Sequence, residues 1–505
     1  MANIKVMFIN PNPRQMSLVQ PVVALFSSIF KQHGVEMRFF DTTFFDMSED
    51  FSNFDRKMQE NLIVSPYEKE LKRRGITFAT YGNVYEAFRK EVRDYNPDVI
   101  LASALESTAQ LTRDLLAAVR DLGKPHILGG VFPTYAPEVA INFPEVDAIC
   151  VGEGEPVIVP LVERLVQGRD ISDLSGMWVK DKDGNIIRGK LQAAVEMDDL
   201  PRFDASVFDD TRFYRAMAGK VYRMFPVETH RGCPLKCTFC NSPLQDETYK
   251  AETGARYFRK KSIPRVMEDV EYFVKEMKAE YLFFWADNFL AYSKAEIDEF
   301  CEAYAEFRTP FFAQSYPTTL NEYKLQKLVS VGLDRLGMGV EHGNEQFRAE
   351  VINRKYSNQK AIDNVQMLKK YGVQYGCNNI VGFPLETPEL HMDTVRLNRA
   401  LGAHTSSCSI FTPFFGTPLR KLSIMHGFLK DPNVLAPPNL DDSILEMPQF
   451  TREQIHGKAR TFNLYLKFPE ERWKDIERAE ALTPEGDRIW GELKEEYAEK
   501  YQETA

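Results

Sequence analysis

Three cysteines stand at C-x3-C-x2-C spacing in Arg231-Gly232-Cys233-Pro234-Leu235-Lys236-Cys237-Thr238-Phe239-Cys240. Thiolates this close together can hold three corners of one metal centre. The other four cysteines, Cys150, Cys301, Cys377 and Cys408, are scattered, so no fourth lies nearby. An iron–sulfur cube usually takes four thiolates. Three would leave one iron open to a ligand, as a catalytic zinc keeps a free position. A structural zinc site with a remote fourth ligand such as His230 is the plain alternative. Seven cysteines in 505 residues are too few for a disulfide framework. The expected compartment is therefore a reducing cytoplasm.

The elements that must position the triplet can be read from hydrophobic periodicity. Strand-like runs at Ile4–Ile9, Val35–Phe40, Asp98–Ala102, His126–Leu128 and Asp147–Val151 alternate with helical patterns at Pro21–Lys31, Val84–Arg93, Thr108–Leu122 and Pro156–Val166. Such alternation predicts a parallel sheet with right-handed crossovers. Its ligands sit beyond the carboxyl ends of the strands. The segment Thr42–Gly82 carries no assignable pattern. A second series follows, with strands expected at Phe225–Thr229, Tyr281–Trp285, Phe311–Ser315, Arg335–Val340, Tyr375–Val381 and Ser407–Thr412. Six strand–helix units predict a partial parallel barrel, with chemistry at the carboxyl ends of its strands. The expected fold is thus α/β throughout. A Rossmann-like domain spans 1–167 and a connector 168–221. A partial (β/α)6 barrel spans 222–420, and a mainly helical segment 421–505.

Composition limits the partners. Lys plus Arg is 63 against 73 Asp plus Glu, a net charge of −10, which argues against a nucleic-acid partner. No apolar run reaches the ~20 residues of a membrane span, and the N-terminus lacks signal-peptide architecture.

The triplet resembles the signature of the radical S-adenosylmethionine (SAM) enzymes, and other barrel segments extend the resemblance over most of 222–420. Trp285-Ala286-Asp287-Asn288 stands where that family often has a Gly-Gly-Glu-like stretch. Gly339-Val340-Glu341-His342-Gly343 resembles G-x-E-S-G, with His342 in place of serine. Asn353-Arg354 resembles a following N-R. Gly382-Phe383-Pro384-Leu385-Glu386-Thr387 resembles G-x-P-x-E-T, and Pro413-Phe414-Phe415-Gly416-Thr417-Pro418 matches P-x-x-G-T-P. The resemblance implies a [4Fe-4S] cluster on Cys233, Cys237 and Cys240. It also implies SAM bound by Asp287, Asn288, Glu341 and Arg354, with adenine lying along Gly382 and Pro384. The plain alternatives are that Glu341 caps the next helix and that Thr387 is the N-cap of a simple turn.

The first domain resembles the cobalamin-binding domain that precedes the barrel in a large subfamily. The matching text is Ile127-Leu128-Gly129-Gly130-Val131-Phe132-Pro133-Thr134 together with Asp147–Val151 followed by Gly152-Glu153-Gly154-Glu155. Glycines at strand ends allow the close backbone approach that a flat corrin needs. Gly129, Gly130, Thr134, Gly152, Glu153 and Gly154, with Ser103, Glu106 and Ser107, are the expected corrin neighbours. The D-x-H-x-x-G motif that supplies a cobalt-ligating histidine is absent.

Together these resemblances imply a cobalamin-dependent radical SAM C-methyltransferase. Such an enzyme methylates an unactivated carbon through a 5′-deoxyadenosyl radical and takes electrons from a flavodoxin or ferredoxin. Its substrate, whether small molecule, lipid or peptide, is not specified by the residues. The alternatives are radical rearrangement, cyclisation or coupling without net methylation, and a corrinoid or iron–sulfur sensor. A tRNA methylthiotransferase fits less well, because a second cysteine triplet is missing.

Overall fold

The computed structural model describes residues 4–12, 19–47, 58–438 and 440–501. Two seven-stranded sheets organise the chain. The first contains β1 (Lys5–Ile9), β2 (Glu36–Phe40), β3 (Val99–Ser103), β4 (His126–Gly129), β5 (Ala148–Cys150), β6 (Met177–Lys180) and β7 (Ile186–Arg188). Its strand order is β2-β1-β3-β4-β5-β6-β7. The first five strands are parallel and the last two antiparallel. Order 2-1-3-4-5 is that of a doubly wound α/β sheet, whose ligands bind where the winding reverses. That point lies between β1 and β3, beside Asn10 and Ser103.

The second sheet contains β8 (Tyr214–Met217), β9 (Lys220–Glu228), β10 (Tyr281–Trp285), β11 (Phe311–Ser315), β12 (Leu333–Glu341), β13 (Gln374–Val381) and β14 (Thr405–Ile410), in that order. From β9 to β14 every pair is parallel, and β8 joins β9 antiparallel. Each parallel strand is followed by helix, giving the six β/α units of a half-barrel. The helices stop and start on local signals. Ser293 and Glu296 form a capping box on Lys294–Tyr304, and Thr387 caps Pro388–Leu401. Three helices, Arg452–Lys467, Trp473–Ala479 and Pro484–Tyr501, close the C-terminal side.

The segment 168–221 does more than link the domains. β6 and β7 extend the first sheet and β8 edges the second. Between them Phe203, Phe208 and Phe213 form an aromatic bridge. Phe39 meets Phe208 at 5.7 Å, Phe203 meets Phe273 at 5.2 Å, and Phe213 stacks on Phe225 at 4.7 Å. One hydrophobic core therefore runs through both sheets, and such ring pairs add to the burial of their area. In the unassigned stretch the structure has a 3-10 turn at Thr42–Phe44 and a helix at Glu68–Arg73. Residues 48–57 lie outside the described residues. No described helix is long and apolar enough to cross a membrane.

Candidate functional site

Two adjoining cavities open at the carboxyl ends of the two sheets. The smaller, of about 200 Å³, is lined by Cys233, Cys237 and Cys240 together with Asp287, Glu341 and Arg354. The larger, of about 670 Å³, lies between the sheets. It is lined from the first domain by Ser103, Gly129, Gly130, Thr134, Gly152, Glu153 and Gly154, and from the barrel side by Arg231 and Trp285. Cys240, Ser242 and Asp287 line both.

The cysteine loop leaves the end of β9. Gly232, at φ +77°, turns it, and an added Cβ there would lie 3.0 Å from the Tyr257 ring. Burial pushes the Cys233 thiol up to about 12 and the Cys240 thiol up to about 11. Metal binding must therefore displace these protons. Cys237 is also raised by burial, but the Arg354 guanidinium works against the rise. Its Nε donates to Cys237 Sγ at 3.1 Å. Such a hydrogen bond favours the thiolate and tunes a cluster's potential. No three His, Cys, Asp or Glu side chains among the described residues converge tightly enough to hold a single metal ion. The three thiols line one cavity, an arrangement that fits a multi-iron group. His230 has one ring nitrogen, Nε2, with no hydrogen-bond partner among the described residues. It is buried, its Nδ1 pairs with Thr229 Oγ1 at 2.7 Å, and its ring packs on Tyr292.

Asp287 follows β10. The protein packed around its carboxyl desolvates it and pushes it up, and Ser242 Oγ donates to its Oδ2 at 3.4 Å. No Lys or Arg pairs with it in a salt bridge among the described residues, and its exposed side chain lines both cavities, where the carboxylate can meet a cationic group. Glu341 ends β12 at φ +68°, a strained position for a residue with a side chain. Burial raises its carboxyl, and Arg354 Nη1, 3.3 Å away, offsets the rise. Arg354 also donates to the Gly339 carbonyl at 2.7 Å and lies over the Tyr316 ring. One guanidinium thus connects a cluster cysteine to the strand-end carboxylate.

Other expected neighbours have different partners. Asn288 is buried but lines neither cavity, and its Oδ1 accepts from Thr319 Oγ1 at 3.0 Å. Gly382 and Pro384 line neither cavity. An added Gly382 Cβ would meet Ile455 of the C-terminal helix at 3.0 Å. Glu386 accepts from the Gly382 and Phe383 amides at 2.6 and 2.9 Å and from His342 at 3.2 Å. It holds the turn rather than lining either cavity. Glu106 and Ser107 line neither cavity. Glu106 accepts from the Phe415 and Ala436 amides at 2.9 and 3.1 Å, so it docks the segment after the barrel. Gly130, at φ +101°, does line the larger cavity. Yet an added Cβ there would meet the Ala104 backbone at 2.8 Å, not open space. Thr134 ties two glycine loops: its Oγ1 donates to the Gly130 carbonyl at 2.8 Å and accepts from the Gly152 amide at 3.1 Å.

Sequence reasoning missed Ser242, Tyr135, Gln245 and Arg231. Tyr135 Oη donates to Gln245 Oε1 at 2.7 Å across the two domains. No local motif marks such a pair, because it exists only once the domains dock.

Residues 227–397 match the radical SAM superfamily model and residues 71–162 match the B12 binding domain model. An uncharacterised methyltransferase of Pyrococcus horikoshii is 27% identical over 401 residues, covering 77% of this chain and 82% of the relative. The anaerobic magnesium-protoporphyrin IX monomethyl ester cyclase of Rubrivivax gelatinosus is 23% identical, covering 65% of this chain and 58% of the relative. The chain thus spans a little over half of that cyclase's length. The radical SAM methyltransferase TsrM of Kitasatospora setae, solved with cobalamin and a [4Fe-4S] cluster, superposes with a TM-score of 0.62 at 15% identity. The match covers 85% of this chain and 79% of that structure, and it shows the fold.

Proposed function

We propose that this chain, a radical SAM protein with a B12 binding domain, is a cobalamin-dependent methyltransferase that acts on an unactivated carbon. The observation that carries the reading is the shared wall: Cys240, Ser242 and Asp287 line both the cysteine cavity and the larger cavity between the sheets. Groups held in the two cavities would lie side by side, and orientation of that kind is a large source of rate.

A [4Fe-4S] cluster and SAM supply the 5′-deoxyadenosyl radical when bound, and cobalamin supplies the methyl carrier. The chain's own residues do the placing. Cys233, Cys237 and Cys240 would hold three irons. Arg354 supports Cys237 and neutralises Glu341. Asp287 would receive the cationic amino group of SAM, a charge-assisted contact at the wall shared by the two cavities. Glu341 would accept from its ribose. Gly129 and Thr134 would border the corrin, and Trp285, 43% exposed at the end of β10, faces the space between. The relatives' methyltransferase names support the transfer.

The test counts two products from reconstituted protein given SAM and a low-potential reductant. Methyl transfer gives both S-adenosylhomocysteine and 5′-deoxyadenosine. Cyclisation or rearrangement gives 5′-deoxyadenosine alone, and a sensor gives neither.

A further inference from the structure

The Gly152-Glu153-Gly154-Glu155 turn borders the larger cavity, and both of its carboxylates are engaged by arginine side chains. Arg231 takes both. Its Nη1 lies 2.9 Å from Glu153 Oε1 and 2.8 Å from Glu155 Oε1, and its Nε lies 3.0 Å from Glu228 Oε1. Glu153 also pairs with Arg259 and accepts from the Val195 amide at 2.9 Å. These groups are largely buried, with Arg231 at 11% and Glu153 at 6% side-chain exposure. Arg231 stands two residues before Cys233.

The far end of the cysteine loop is held by the same turn. Helix Ser242–Thr253 begins two residues after Cys240. Its Tyr249 Oη accepts from the Glu153 amide at 3.0 Å. Gly152, at φ +86°, sits so close that an added Cβ would lie 2.6 Å from Tyr249 Oη. On the same helix Gln245 accepts from Tyr135, which follows the Gly130–Thr134 loop. Loops of the first domain therefore grip the cysteine loop on both flanks.

We propose that Arg231 is a positioning residue that couples the two cavities. The Glu-Gly-Glu turn serves as its docking site, so a corrinoid seated against the turn orders the cysteine loop. The inference rests on the proposed function, since it needs a corrinoid in the larger cavity. A planar, forked guanidinium suits the role because it can satisfy three carboxylates in fixed directions. A coupling between sites is reciprocal, so an assembled cluster strengthens corrinoid binding by the same factor.

The test uses full-length reconstituted protein with hydroxocobalamin as the probe. The visible spectrum reports binding, iron content reports the cluster, and hydrogen–deuterium exchange reports residues 231–253. In the wild type, saturating hydroxocobalamin slows exchange over 231–253 by about tenfold, well within the usual range of couplings. Arg231→Met keeps its iron and binds the corrinoid more weakly, but loses that protection. Glu155→Gln, which removes one arm of three, loses part of it. Should Arg231→Met fail to fold, Glu155→Gln and Tyr249→Phe decide the matter. Binding without protection in the wild type, or equal protection in the variants, overturns the coupling and leaves the proposed function standing. No corrinoid binding by the wild type overturns both.

Discussion

Glu106 offers a quantitative test, because its surroundings give its titration a sign and a size. Burial raises its carboxyl from an ordinary 4.5 to about 7, although two backbone amides and Arg420 favour the charged form. The shift is about 2.5 pH units, and at ~1.4 kcal/mol per unit the full effect is about 3 kcal/mol. A carboxyl whose docked value exceeds its free value stabilises docking when protonated. Docking of the segment containing Phe415 and Ala436 is therefore tightest below about pH 4.5. It weakens as pH rises through the window from about 4.5 to about 7, and is flat above. Lowering the pH from about 8 to about 5.5 recovers roughly 1.5 of the 2.5 units, or about thirtyfold. Hydrogen exchange at the Phe415 and Ala436 amides reads this directly, once the intrinsic pH dependence is divided out. Glu106→Gln removes the titration and one of the two acceptors, so its local protection is independent of pH. It also costs about 1–3 kcal/mol for one unsatisfied amide. Protection that rises with pH in the wild type, or the same slope in Glu106→Gln, would refute the reasoning.

Three further outcomes follow from the site. Replacing Cys233, Cys237 and Cys240 together by alanine abolishes iron binding, whereas serine at Cys150, Cys301, Cys377 or Cys408 leaves iron content intact, as iron analysis and Mössbauer spectra will read. Asp287→Asn retains the cluster but weakens SAM by about 10–100-fold, the scale of about 1.5–3 kcal/mol for a lost charged hydrogen bond, measured by equilibrium binding to reconstituted protein. Val131→Trp fills the larger cavity from a side chain that is 46% exposed there. It abolishes hydroxocobalamin binding while sparing iron, whereas Gly130→Leu disrupts the Ala104 backbone and lowers expression or stability instead.

Much of the scaffold is legible in the sequence because strands buried on both faces read as continuous apolar runs. Tyr281–Trp285 and Phe311–Ser315 coincide with the observed strands, and the cysteine triplet lies in the loop where its spacing places it. The segment 168–221 carries a weaker signal. Its strands are short, and Phe203, Phe208 and Phe213 gain meaning only when both sheets pack on them. Glu106, Asn288 and Gly382 sit at strand ends, where sequence places ligand contacts. Their side chains, or for Gly382 the lack of one, are committed instead to Phe415, Thr319 and Ile455. Strand-end position limits a residue to the right edge of a sheet but not to the inner side of its loop. No local motif marks Arg231 for the converse reason, since Glu153 lies 78 residues from it and meets it only when the domains dock.

On the proposed function, the larger cavity carries a corrinoid which receives a methyl group from SAM. The most direct measurement supplies reconstituted protein with hydroxocobalamin, a low-potential reductant and SAM labelled with deuterium in its methyl group, followed by mass analysis of the extracted corrinoid. The expected result is a corrinoid bearing the labelled methyl in wild-type protein and none in Val131→Trp. An unlabelled corrinoid in the wild type, with 5′-deoxyadenosine still released, would contradict it.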